Sequence, residues 1–323
     1  MRGEQIVGKT LVIQPLPGIG DMVWHLPHLK AIAENAPDGK IALVTKRRSA
    51  ADQMLEGAPW ISQIGWLDRA QGKEKAGRHD GPLGAMRLGS DLKAFEAETV
   101  WILHRSWRYL TATRMAGIPN RISYRELPND GRDLHQADKA TALLRARGLT
   151  VDPTPRLAPS ASAKAEIQRL YGELPRPWLL LGIGASEPFK RWPEANFSAL
   201  ARAFTDRTGG SVILVGGEAE KESAERILQN ARGEVVLAIN RPIGQAAALA
   251  ATADAFLGND SGMLNLAAAT GAPTIGLFGG SPPLTLYPNL DALQPEGGAE
   301  YRIDRMAEIE VEATMNALSR ALG

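Results

Sequence analysis

Short apolar runs alternate with longer amphipathic stretches along the chain, and the two periods separate strands from helices. The apolar runs Thr10–Gln14, Ile41–Thr45, Ile61–Trp66, Thr99–Leu103 and Arg121–Tyr124 predict strands. Between and after them, Asp21–Asn35, Ser49–Leu55, Ala85–Glu96, Ser106–Ala116 and Leu134–Arg147 predict helices. Arg69–Gly84 is polar and glycine-containing and reads as a mobile loop. The segment Val151–Ser162, VDPTPRLAPSAS, then interrupts the pattern with three prolines and reads as a linker. After a helix at Ala163–Tyr171 the alternation restarts. Strands are expected at Trp178–Ile183, Ser211–Val215, Val235–Ala238, Ala255–Leu257 and Pro273–Phe278. Helices are expected at Glu194–Arg207, Ala219–Ala231, Ile243–Ala251 and Met263–Thr270, with an amphipathic terminal helix at Glu308–Leu322.

Two blocks of β-α alternation predict an α/β fold: two Rossmann-like domains, each a parallel sheet with helices on both faces, facing a cleft. The expected domains are 1–155 and 163–307, with the helix 308–323 packing back on the first. A chain of 323 residues exceeds what one compact core usually holds, which agrees with two domains. Hydrophobic residues make up 44% and charged residues 23%, an ordinary globular balance. No apolar stretch approaches the ~20 residues that span a bilayer. The start of the chain lacks the apolar core of roughly 7–15 residues that a signal peptide needs. The chain has no cysteine, which excludes disulfides, thiolate metal sites and cysteine nucleophiles. A cytoplasmic setting is expected. The charge is uneven: residues 1–150 carry 22 Lys/Arg against 16 Asp/Glu, and residues 151–323 carry 15 against 20. The basic half suits an acidic ligand or an anionic surface; an uneven spread of solvated charge would look the same.

The segment AFLGNDSGMLNLAAATGAPTIGLFGGSPP, Ala255–Pro283, carries the most chemistry. It reads as strand, polar turn, helix, strand, with the turn at the carboxyl end of the first strand, where open α/β sheets bind ligands. The first N–H groups of its helix suit a phosphate. Asp260 or Ser261 can N-cap that helix, or Asp260 can accept from backbone N–H groups or sugar hydroxyls. Three other strand ends look alike. In Leu16–Pro27, Gly18 and Gly20 allow close approach of a ligand. Asp21 at the helix start is either an N-cap or a carboxylate that takes a proton from a substrate hydroxyl. His25, one turn on, either shares that site or is structural. In Gly182–Pro193, the turn Gly184-Ala185 and Ser186 can wrap a phosphate beside the cation of Lys190. In Leu214–Glu218, Glu218 either caps a helix or binds ribose hydroxyls or a base. The pattern G-x-x-x-x-G-K-T at Gly3–Thr10 matches a P-loop but has a strand after it instead of a helix, so its context fails.

Taken together, IGDMVWHLP (19–27), RMAGIPNRISY (114–124), GASEPFKRWPEANFSAL (184–200), GGEAEKESAERI (216–227) and GNDSGMLNLAAATGAPTIGLFGGSPP (258–283) resemble glycosyltransferase family 9. These are the ADP-heptose:lipopolysaccharide heptosyltransferases, of GT-B fold. The resemblance implies Asp21 as catalytic base, Lys190 at the donor diphosphate, Glu218 at the nucleoside, and Asp260, Ser261 and Gly262 at donor phosphate and sugar. Two positions depart from the pattern. Asn265 stands where the family has His in D-S-G-x-x-H, and Gly18-Ile19-Gly20-Asp21 replaces S-L-G-D. Asn can donate a hydrogen bond but carries no charge, which implies a weaker hold on a diphosphate or a different donor.

The implied reaction is an inverting, metal-independent transfer of heptose, with no cofactor beyond an ADP-linked nucleotide-sugar. Gly184, Ala185, Ser186 and Asn265 complete the donor set. Gly18, Gly20, Lys46, Arg47, Arg48, Arg105, Arg108, Arg114 and Arg121 are the candidates for an anionic glycolipid acceptor. Peripheral contact with the inner membrane is expected, and nucleic acid is not. The alternatives are an altered or inactive relative that binds nucleotide-sugars, and a sugar-nucleotide epimerase or hydrolase.

Overall fold

A computed structural model describes residues 8–70, 75–128, 135–284 and 286–323. The chain divides into two compact units, 1–155 and 156–323, within the proline-rich segment expected as a linker.

The first unit holds β1 (Thr10–Gln14), α1 (Ile19–Glu34), β2 (Ile41–Thr45), α2 (Ala51–Met54), β3 (Ile61–Trp66), α3 (Gly84–Leu92), β4 (Thr99–Ile102), α4 (Trp107–Met115), β5 (Asn120–Ser123) and α5 (Gln136–Ala146). Its five strands are all parallel, in the order β3-β2-β1-β4-β5. The central strands β1, β2 and β4 are buried along their whole length, as strands covered on both faces must be, whereas edge strand β3 is half-exposed. Leu11, Ile13, Val100 and Ile102 pack against Leu88 and Leu92 of α3 and Tyr109 and Ala112 of α4.

The second unit holds α6 (Ala161–Tyr171), β6 (Trp178–Gly182), α7 (Glu194–Thr208), β7 (Ser211–Gly216), α8 (Lys221–Asn230), β8 (Glu234–Ile239), α9 (Ile243–Thr252), β9 (Ala255–Asn259), α10 (Gly262–Ala269), β10 (Thr274–Leu277), β11 (Leu290–Leu293) and α11 (Val311–Ala321). Its sheet is also parallel, in the order β11-β10-β9-β6-β7-β8. Alternate residues of each strand face opposite helical layers. Leu179, Leu181, Val212, Leu214 and Leu257 join Phe197 and Phe204 of α7, while Trp178, Leu180, Ile213 and Phe256 join Ile167 and Leu249. Helix α7 ends on Gly209, whose φ of 67° supplies the left-handed stop.

Two expectations change, for β11 and for the loop Arg69–Gly84. β11 lies in a segment where no strand was expected. LDAL carries no β-branched residue, and pairing with β10 makes it a strand, not local propensity. The terminal helix buries Thr314, Met315, Ala317 and Leu318 with Met315 and Leu318 in the core of its own unit, beside Phe197 and Phe204. Of the loop Arg69–Gly84, residues 71–74 lie outside the described residues, and the rest is latched. Asp80 accepts from the Ala70 and Gly77 N–H groups and pairs with Arg69. His79 accepts the Asp68 N–H on Nδ1 and meets Asp91 through Nε2, 2.9 Å away.

Candidate functional site

In each sheet the strand order reverses beside the first strand of the unit, between β1 and β4 and between β6 and β9. The crevice outside the carboxyl ends at such a point is the ligand position of open α/β sheets. Gly18–Asp21 follows β1, and the 184–190 loop and the 260–262 turn follow β6 and β9.

At the first reversal, Asp21 is the third residue of α1. Its Oδ2 accepts the Gly18 N–H at 3.0 Å, which is the reach-back half of a capping box. The two sequence readings of Asp21 are therefore compatible: one oxygen caps the helix. Burial pushes the Asp21 carboxyl above the ordinary aspartate value; the Gly18 N–H and the nearby His135 partly offset it. The Asp21 carbonyl is held as well. His25 Nδ1 lies 2.6 Å from it, so this nitrogen carries the hydrogen, and Nε2 faces the Tyr124 hydroxyl at 3.3 Å. Burial drops the His25 imidazole to about 4 and that of His28 to about 3, so both are neutral near pH 7. His25 is thus a brace behind the first turn of α1, which is the structural of its two readings.

The basic candidates separate into two groups. Lys46, Arg47, Arg48 and Arg69, with Trp66, Leu67 and Asp68, line a cavity of about 230 Å³ at the ends of β2 and β3, and the Arg47 guanidinium stacks 4.7 Å over Trp66. Arg105, Arg108 and Arg121 instead brace the backbone. Arg105 donates to the Leu127 and Pro128 carbonyls, Arg108 to Gly81 and Arg121 to Ile118. Arg114 is exposed in the last turn of α4. Of the P-loop-like pattern, residues 3–7 lie outside the described residues; Lys9 pairs with Glu96 and Thr10 opens β1.

The second unit brings two of the donor candidates, Lys190 and Asp260, into direct contact. Lys190 Nζ lies 2.5 Å from Asp260 Oδ2, and the same oxygen accepts from Ser281 Oγ at 2.6 Å. Both side chains are largely covered, at 17% and 13% exposure. Ser261, not Asp260, caps α10, through its Oγ and the Leu264 N–H. The backbone permits this crowding. A Cβ on Gly280 would strike the Phe189 carbonyl, and one on Gly258 would lie 2.7 Å from the Gly182 oxygen. Gly184 and Ala185 follow β6, the Ala185 carbonyl is gripped by Arg191, and Ser186 is exposed. At the end of β7 the cap is Glu220, which accepts the Gly217 N–H at 3.0 Å, so Glu218 is not the cap and is exposed.

Asn265 is buried in α10. Its Nδ2 donates to the Ser261 carbonyl at 2.9 Å, and its Oδ1 accepts from the Tyr287 hydroxyl at 2.9 Å. His25 does the same in the first unit, with one nitrogen on the carbonyl four residues back and the other on a tyrosine hydroxyl. A neutral His offers the same pairing of one donor and one acceptor. Asn265→Ala should cost about 2 kcal/mol in denaturant unfolding, because a buried carbonyl and a hydroxyl lose a partner. Asn265→His should keep most of the stability and the donor affinity.

Two contributors escaped sequence reasoning. Asn259, fully buried at the end of β9, donates to the Ile183 carbonyl and accepts the Trp192 N–H, tying β9 to both ends of the Lys190 loop. A polar residue closing an apolar strand was the available signal. Ser281 sat in plain view after Gly279-Gly280, but nothing in its spacing marks its bond to Asp260.

Comparison with known proteins follows the same lines. The family model described as glycosyltransferase family 9 (heptosyltransferase) matches residues 86–294. The chain is 29% identical to lipopolysaccharide heptosyltransferase 2 of Escherichia coli K12 over 302 residues, covering 85% of this chain and 84% of that protein. Its fold matches a glycosyl transferase family 9 structure from Veillonella parvula, with a TM-score of 0.80 at 21% identity over 97% of both chains. It also matches the E. coli ADP-heptose LPS heptosyltransferase II structure, with a TM-score of 0.77 at 22% identity over 98% of both chains.

Proposed function

This chain belongs to glycosyltransferase family 9, and from that premise we propose that it is an inverting, metal-independent transferase moving heptose from ADP-heptose onto a lipopolysaccharide core acceptor. The observation that carries the reading is the Lys190–Asp260–Ser281 cluster at the strand reversal of the second sheet, beside the N-terminus of α10.

In this reading the donor diphosphate lies against Lys190 and the first N–H groups of α10, with Gly184, Ala185 and Ser186 around it and Glu218 on the nucleoside. The acceptor's anionic groups occupy the cavity of Lys46, Arg47 and Arg48. Asp21 takes the proton of the acceptor hydroxyl through the oxygen that does not cap Gly18. The hydroxyl oxygen bonds to the anomeric carbon from the face opposite the diphosphate, the carbon–oxygen bond to the diphosphate breaks, and ADP leaves with the electron pair. The Lys190 cation and the helix dipole meet the charge that develops on ADP. A relative's name supports this choice of donor and acceptor: lipopolysaccharide heptosyltransferase 2 aligns with most of the chain.

The test is incubation with ADP-heptose, a panel of other nucleotide-sugars and a heptose-accepting lipopolysaccharide core, with mass spectrometry of the product and NMR of the new anomeric centre. Transfer with inversion from ADP-heptose, undiminished by chelator, is expected. Free sugar or an epimer formed without acceptor would replace this reading with a hydrolase or epimerase. Donor binding without product across the acceptor panel would make the chain a nucleotide-sugar-binding protein.

A further inference from the structure

Helices α3 and α4 lie side by side on the first sheet. Gly84, at the start of α3, approaches the Arg108 guanidinium at the start of α4, and Gly89 packs on Ala112 and Met115 one to two turns later. The two helices therefore run in the same direction. Each leads back from the carboxyl edge of the sheet toward the start of the next parallel strand, which puts both N-termini at the edge that carries Asp21 and the basic cavity.

That rim is unusually apolar for a surface. Leu83, the cap of α3, is 54% exposed; Met86, in its first turn, is 52% exposed; Trp107, the first residue of α4, is 63% exposed. The structure holds them together. Arg108, next to Trp107, donates to the Gly81 carbonyl two residues before Leu83, and Arg69 at the cavity reaches Tyr109 on α4. Apolar tips beside a cluster of cations are the composition of an interfacial membrane anchor. Trp, Leu and Met enter the headgroup–acyl boundary while Lys and Arg stay with anionic headgroups. Three side chains are too few for a stable protein interface, which needs on the order of 800 Å² per partner.

We propose that Leu83, Met86 and Trp107 form an insertion rim that seats the first unit on an anionic lipid bilayer, with Lys46, Arg47 and Arg48 meeting headgroup phosphates when no acceptor fills their cavity. The proposal rests on the reading that the acceptor is a membrane glycolipid, and it places the mouth of the acceptor cavity at the bilayer surface.

The full chain is sedimented with vesicles of phosphatidylethanolamine and phosphatidylglycerol containing no acceptor, and with phosphatidylcholine vesicles. Binding to the anionic vesicles alone is expected. The triple variant Leu83→Ser/Met86→Ser/Trp107→Ser should bind them at least tenfold more weakly, and Trp107→Ser alone should weaken binding by a smaller factor. Both variants should keep kcat/KM on a deacylated, water-soluble acceptor. Brominated lipids should quench the fluorescence of the wild type more than that of Trp107→Phe. Equal vesicle binding by wild type and triple variant would overturn the insertion rim, as would wild-type binding to neither vesicle. A triple variant that turns a dimer into a monomer would reassign the rim to a protein contact and also overturn it. Because these vesicles lack acceptor, failure of the transfer reading leaves the binding result intact.

Discussion

Asp21→Asn should lower kcat by about 10³-fold while leaving donor affinity within about twofold. Asn keeps an oxygen for the Gly18 N–H, so the helix start survives, but it cannot take a proton from the acceptor. The variant should also be no less stable than wild type. The folded state holds this carboxyl above its ordinary value, so it binds the proton more readily than the unfolded chain does. Above that raised value the charged form costs folding free energy, and the neutral amide removes the cost. Asp21→Ala loses the cap as well and should cost about 1 kcal/mol in thermal or denaturant unfolding. In wild type, kcat/KM should fall as the pH drops through a carboxyl limb above the ordinary aspartate value of 3.8. His25 and His28 add no limb near neutrality, because burial holds them at about 4 and about 3. Turnover that survives in Asp21→Asn would remove Asp21 as the base.

The alternation of strands and helices was legible because each central strand is buried on both faces and so had to be a short apolar run. Val12, Leu180 and Phe256 could be placed from sequence for that reason, whereas β11 could not, since an edge strand made of LDAL owes its shape to a neighbour. The four strand-end segments could be placed on the carboxyl edges of their sheets for an equally simple reason: a parallel sheet puts all its carboxyl ends on one edge. Which polar residue does which task at those ends was not legible. Ser261 and Asp260 are both good caps by type, and only the reach of Lys190 and Ser281 to the carboxylate leaves the capping to Ser261. Glu218 and Glu220 are likewise both acids in one turn, and the geometry of Gly217 selects Glu220. Arginines are hard for the same reason. Arg105, Arg108 and Arg121 were grouped with Lys46 and Arg47 by charge, but a guanidinium with several donors is as apt to brace carbonyls as to await an anion. At 265 the sequence shows only that Asn carries no charge where the family pattern has His; its two contacts, to the Ser261 carbonyl and the Tyr287 hydroxyl, come from the fold.

Lys190→Ala should weaken ADP binding by about 10²-fold, roughly 3 kcal/mol, and much of that loss should come from Asp260 and not from the missing cation itself. In the wild type the Asp260 charge is matched by Lys190 at 2.5 Å, with Ser281 as the second partner of the same oxygen. Removing the ammonium leaves a mostly covered carboxylate facing an incoming diphosphate with only a hydroxyl to soften it. Adding Asp260→Asn to Lys190→Ala should therefore recover at least about tenfold in ADP affinity, a strong non-additivity between two residues in direct contact. Calorimetry with ADP isolates the diphosphate, because ADP carries no sugar for Asp260 to hold. The same cycle with the intact nucleotide-sugar then separates two roles of that aspartate. If the double variant recovers with ADP but not with the sugar donor, Asp260 also accepts a sugar hydroxyl through its second oxygen. If it binds ADP more weakly than Lys190→Ala alone, the aspartate supports the diphosphate site in its own right, and its unmatched charge is not the source of the loss.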